Sequence, residues 1–205
     1  MDFTAPTADQ VLAIRINAGI DDLAANPRFA AASPDMVEAI VEGIGQFAAG
    51  EFAPLNRKGD LEGAKLANGV VTLPDGFAGA YQAYVEQGWN AVAGDEAHGG
   101  QGLPFTLAAN VLENLGAANM AFSLLPMLTV GAIEALAHHG SPAQQALYLP
   151  KLVSGEWSGT MNLTEPQAGS DVGALRTTAT PRGDGTWSIK GTKIYITWGE
   201  HDLAG

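Results

Sequence analysis

The apolar residues of this 205-residue chain change their period once, near residue 156, and that change limits what each part can fold into. Before it, apolar positions recur at three- and four-residue intervals, the signature of one-sided helices. After it they alternate with polar neighbours, as half-buried strands require. A helical part (1–155) followed by a β part (156–205) is the expected division.

The helical part carries its own boundary signals. Thr7-x-x-Gln10 has the form of a capping box ahead of a run through Leu12 and Ile16, and Ser33-Pro34 sets an N-cap residue before a proline at the first helical position. From there Val37, Ile40, Val41, Ile44, Phe47 and Ala48 trace one helix face. Further helices are expected at 76–87, 105–117 and 121–137, with a short one after Ser141-Pro142. The stretch 52–74, rich in glycine and charge, reads as a long surface connection.

In the β part, strands are expected at 157–163, 177–180, around Trp187 and Ile189, and at 193–197, with Gly183-Asp184-Gly185 as a turn. The fold class is therefore α+β: an all-α N-terminal domain and an incomplete antiparallel β domain.

A formal charge of −12 disfavours nucleic acid and anionic membrane surfaces as partners, since both select a basic face. The chain has no cysteine, which removes disulfides and thiolate metal sites and makes a reducing cytoplasm the expected compartment. Met1-Asp2-Phe3-Thr4 lacks the basic flank and apolar run of a signal peptide. The most apolar run, 121–133, contains Pro126 and stops at Glu134, so no membrane span is expected.

The chemistry concentrates in two segments. One reads Leu163-Thr164-Glu165-Pro166-Gln167-Ala168-Gly169-Ser170-Asp171; the other reads Lys193-Ile194-Tyr195-Ile196-Thr197. They resemble the acyl-CoA dehydrogenase signature Leu/Val-Thr-Glu-Pro-x-Ala-Gly-Ser/Thr-Asp and its second landmark, Lys-x-x-Ile-Thr after a hairpin. Gly59-Asp60-x-Glu62-Gly63, Pro74-x-Gly76-Phe77, Gly88-Trp89 and Gly99-Gly100-Gln101-Gly102-Leu103-Pro104 are similar to the subgroup acting on short or sulfur-containing acyl-CoAs.

The resemblance implies a helical domain, a middle β domain and a C-terminal helical bundle, with residue 205 falling inside the middle domain. It implies FAD as cofactor, an acyl-CoA substrate, electron-transfer flavoprotein as redox partner and a dimer or tetramer. Met161, Leu163, Thr164, Gly169 and Ser170 would contact FAD from one side, with Tyr195, Ile196 and Thr197 covering its ring from the other; Ser170 would also lie near the CoA moiety. The glutamate base would come from the C-terminal domain, so no residue here is assigned to proton abstraction. A non-catalytic fragment or partner subunit, an acyl-CoA oxidase and a flavin monooxygenase stay open beside the dehydrogenase.

Taken singly, Thr164 is a β-prone residue, Gly169 a turn glycine and Ser170 a cap. Glu165 and Asp171 stand six residues apart across a turn and are read as a structural pair and a backbone cap, not as an acid–base couple. His138 and His139 are adjacent and diverge by about 100° on a helix, so they cannot grip one ion together.

Overall fold

The computed structural model describes residues 3–204 and divides into two compact units, one running to Gly159 and including the chain from Glu200 onward, the other Thr160–Gly199. The first is helical. Its elements are α1 (Thr7–Ala18), α2 (Ile20–Ala24), α3 (Pro34–Phe47), α4 (Ala53–Glu62), a hairpin of β1 (Lys65–Ala67) and β2 (Val70–Thr72), then α5 (Phe77–Glu86), α6 (Phe105–Ala118), α7 (Met120–His139) and α8 (Pro142–Val153).

The strongest start signals act as expected. The Ser33 hydroxyl accepts the Met36 N–H at 3.3 Å, and Ser141 and Gln144 form a complete capping box on α8. The predicted stripe of α3 is buried along its length, from Val37 to Ala48. Thr7, in contrast, lies inside α1, whose N-cap is Pro6 without a side-chain cap bond. Gln10 is taken by the interior instead: its amide and that of Asn114 on α6 exchange hydrogen bonds of 3.3 and 3.2 Å.

The expected surface connection at 52–74 is mostly ordered structure. α3 continues through a single π turn, Ala48–Phe52, into α4. Pro54 has no N–H to return to the turn before it, and widening that turn lets the rod pass the proline. The hairpin then closes on Asn68 and Gly69, at φ 53° and 81°, with Ala67 facing Val70. Positive φ at both central residues is the type I′ condition, and Asn-Gly meets it at least cost.

The apolar run at 121–133 is likewise longer than it reads. α7 has 20 residues, passes through Pro126 and Glu134, and is long and apolar enough to cross a membrane by length and composition. Here it packs on α6 and α8, with Phe122, Leu125, Pro126 and Thr129 buried. Phe122 anchors an aromatic core, stacked on Phe52 at a centroid distance of 4.2 Å and tilted against Phe77 at 4.8 Å. Asn119 joins these elements: it accepts the Phe122 N–H at 3.1 Å and donates to the Phe52 carbonyl at 3.2 Å.

Two-stranded antiparallel pairing recurs in the second unit, where β3 (Thr178–Pro181) and β4 (Trp187–Lys190) pair from Thr178↔Lys190 to Pro181↔Trp187. The Asp184 carboxylate fastens the connecting turn by accepting from the Thr186 N–H and hydroxyl. Residues 157–163 and 193–197 form no strand ladder, contrary to expectation. Tyr195 takes a φ of 56°, which turns the backbone out of the β region.

Asn119→Ala removes a helix cap and leaves the Phe52 carbonyl without its donor; a loss of about 1–3 kcal/mol is expected in urea unfolding. At Gly100 a Cβ would stand 2.0 Å from the Gly94 backbone. Gly100→Ala should therefore disrupt the close approach in which Gln101 and Gly102 donate to Ala91 and Gly94, read as a lower thermal midpoint and exposed amides at 91–103 in hydrogen exchange.

Candidate functional site

The two motif segments lie side by side, running in opposite directions. Ile194 N–H donates to the Thr164 carbonyl at 3.0 Å, Lys193 Nζ to the Leu163 carbonyl at 2.9 Å, and the Thr160 hydroxyl to the Thr197 carbonyl at 2.5 Å. Met161, Leu163 and Thr164 thus stand on one segment, with Tyr195, Ile196 and Thr197 on its neighbour. The first segment ends in a tight turn, where Glu165 and Ala168 exchange backbone bonds of 3.0 Å in both directions around Pro166 and Gln167. Proline at the second position presets that turn.

Gly169 and Ser170 lie past the turn, exposed and without a hydrogen bond to either segment among the described residues. Gly169 does not take a left-handed φ, and a Cβ there would meet nothing within 4 Å. Its glycine is therefore not demanded by the turn. The local cap is Asp171, as expected, accepting the Gly173 N–H at 3.1 Å.

The polar centre of the unit is Glu165, only 3% exposed. Its Oε1 accepts from Lys193 Nζ at 2.8 Å, the Thr177 hydroxyl at 2.5 Å and the Thr177 N–H at 3.0 Å; its Oε2 accepts from the Arg176 N–H at 2.7 Å and Gln167 Nε2 at 2.6 Å. Lys193 first, then Thr177 and Arg176, hold the carboxyl far below the usual carboxylate range. The sequence marks Glu165 as a structural partner without saying of what. That partner is Lys193, and Gln167, Thr177 and the Arg176 backbone N–H complete the set of donors without a sequence signal that marks them.

The surface these bonds hold is open and largely apolar. Met161 is 59% exposed, Leu163 39% and Tyr195 87%. Among the described residues, the backbone N–H groups of Leu163, Thr164, Ser170, Ile196 and Thr197 have no partner within the chain, nor do the hydroxyls of Thr164, Ser170 and Thr197. Exposed apolar side chains and one aromatic ring beside free donors suit an aromatic ligand with nitrogen and oxygen acceptors along its edge, and the flavin of FAD is such a ring. Tyr195 and Trp198, at φ 56° and 55°, hold left-handed conformations that cost bulky residues about 1–3 kcal/mol each and that cluster at functional sites.

Other constellations resolve differently. Ser158 Oγ and His201 Nε2 are 2.8 Å apart, the spacing of a nucleophile and its base. His201 Nδ1, however, accepts the Leu203 N–H, so the ring proton sits on Nε2 and points at the serine. The pair cannot draw a proton from Ser158, and burial lowers the histidine's affinity for a second one. His138 faces Glu134 one turn back, at 3.4 Å. Trp157 packs in the helical unit against Tyr148 and beneath Lys151.

A depressed carboxyl contributes stability that is complete above its unfolded pKa of about 4.3 and drains as pH falls toward the folded value. Acid titration followed by circular dichroism should show a steeper loss between about pH 5 and 2 in the parent than in Glu165→Gln, whose amide does not titrate.

Comparison with known proteins gives the family of the chain. The family profile "Acyl-CoA dehydrogenase, N-terminal domain" matches residues 34–156. The 3-methylmercaptopropionyl-CoA dehydrogenase of Ruegeria pomeroyi is 47% identical over 204 residues, covering 100% of this chain and 35% of that protein. A butyryl-CoA dehydrogenase of Syntrophomonas wolfei is 38% identical over 157 residues, 75% of this chain and 26% of the relative. Among solved structures, the glutaryl-coenzyme A dehydrogenase glutaryl-CoA complex superposes with a TM-score of 0.67 at 27% identity, over 78% of this chain and 39% of that one. An acyl-CoA dehydrogenase of Bacillus anthracis, complexed with FAD, gives 0.66 at 25% identity, over 78% and 26%. The chain spans about a third of the length of its 47%-identical relative. A profile match across more than half of its residues means that the chain belongs to the acyl-CoA dehydrogenase family.

Proposed function

We propose that the complete protein carrying this chain is an FAD-dependent dehydrogenase that introduces a double bond next to the thioester carbonyl of an acyl-CoA. The observation that carries the reading is the paired-segment surface, where unpartnered donors at Leu163, Thr164, Ile196 and Thr197 stand beside the exposed Leu163 and Tyr195 side chains. When bound, FAD supplies the acceptor for the hydride that leaves the substrate.

The residues of this chain orient and stabilise. Backbone and hydroxyl donors on the two segments face the ring edge, where negative charge grows as hydride arrives, and fixed donors stabilise such charge without reorganising. Leu163, Met161 and Tyr195 supply apolar contact that excludes water from the ring. Ser170, past the turn, would meet the CoA portion of the substrate. The nearby carboxylates are already committed, Glu165 to five donors and Asp171 to the turn it caps. The reading therefore assigns the proton-abstracting base to residues outside this sequence.

Similarity over its full length to a 3-methylmercaptopropionyl-CoA dehydrogenase supports a short or sulfur-containing acyl group as substrate. Electron-transfer flavoprotein as electron acceptor, a dimeric or tetrameric assembly and a cytoplasmic location complete the proposal.

The test is made on the full-length protein. It should purify yellow or turn yellow with added FAD, and anaerobic 3-methylmercaptopropionyl-CoA or butyryl-CoA should bleach the flavin band without forming peroxide in air. A protein that stays colourless after reconstitution with FAD defeats the flavin assignment, and substrate-dependent peroxide at the rate of turnover would make it an oxidase.

A further inference from the structure

We infer that Glu165 is a positioning residue for the flavin, acting through Lys193 to aim the Thr164 N–H at the bound ring; the inference rests on the flavin reading above. Two observations combine. The first is the path of bonds. Glu165 and the Leu163 carbonyl both accept hydrogen bonds from Lys193 Nζ, at 2.8 and 2.9 Å, so one ammonium ties the turn, the first segment and the second segment at a single point. The side chain of Lys193 is only 22% exposed, which limits exchange of these partners for water.

The second is the geometry of a peptide plane. All described peptide bonds are trans, so fixing the direction of the Leu163 carbonyl fixes the Thr164 N–H in the opposite direction. Lys193 holds that carbonyl toward its own ammonium, beside the Glu165 carboxylate. The Thr164 N–H is left pointing away from it, with no partner among the described residues. Glu165 is what keeps Lys193 in place: without the carboxylate, the ammonium is free to swing toward solvent and release Leu163. The other cross-segment bonds, at Thr164–Ile194 and Thr160–Thr197, preserve the pairing but not the tilt of that peptide.

The experiment compares full-length parent, Glu165→Gln, Lys193→Met, the double variant and Lys193→Arg, each first checked for folding by circular dichroism. FAD affinity is read by quenching of flavin fluorescence, and the ring environment by the absorption spectrum and midpoint potential of the bound flavin. Loss of a charged hydrogen bond at the site predicts roughly ten- to hundredfold weaker FAD binding in Glu165→Gln and in Lys193→Met. An altered flavin spectrum and potential should accompany it, with the double variant no worse than the single ones and Lys193→Arg close to the parent. If either single variant fails to fold, the double variant decides, because it leaves neither charge buried alone. Folded variants with parental FAD affinity, spectrum and potential overturn the inference and leave Glu165 a structural residue. A parent that binds no FAD overturns the flavin reading itself.

Discussion

A carboxylate held out of water must find its counter-charge and its donors close by, and in the β unit that requirement organises everything else. Glu165 draws donors from the turn it begins, from the two residues that lead into β3 and from the second motif segment. Stretches separated by up to 28 residues of sequence are thereby brought to one point. A unit this small, with its hairpin apolar side largely exposed at Trp187 and Ile189, has little hydrophobic burial to specify its shape. Fully satisfied buried polar networks specify a single arrangement where apolar packing alone would permit several.

The helical unit depends on packing instead. Its aromatic cluster joins the π turn at Phe52, α5 at Phe77 and α7 at Phe122, and Asn119 satisfies the polar groups that this packing would otherwise strand. The family profile covers this unit from residue 34 and stops at 156. The paired-segment surface lies beyond it, so likeness there rests on relatives such as the Ruegeria protein, which align over the whole chain.

Legibility followed the range of the deciding interaction. α3 and α8 could be read because caps and stripes are local in sequence. Thr7 failed as a cap because Gln10 answers a partner 104 residues away. The hairpin at Asn68-Gly69 carried a legible turn pair that the surrounding glycine and charge obscured. The helix expected at 121–137 is α7, one to two residues longer at its ends; only its apolar length reads short, because Glu134 marks the end of the run. At the site, motif spacing located the two segments, and Glu165 and Asp171 were correctly read as structural. The left-handed turns at Tyr195 and Trp198 and the ordinary backbone of Gly169 had no signal, since residue type predicts the reverse at each.

The π turn at Ala48–Phe52 deserves to be seen as a phase shifter. A helix turns by about 100° per residue, so one surplus residue in a turn rotates all that follows relative to all that precedes. α3 presents its apolar stripe to α6, while α4, on the same rod, meets α7. A straight α-helix of the same sequence would send both halves toward one neighbour. The widened turn lets a single continuous rod serve two differently placed partners, with no loop between them to loosen either contact.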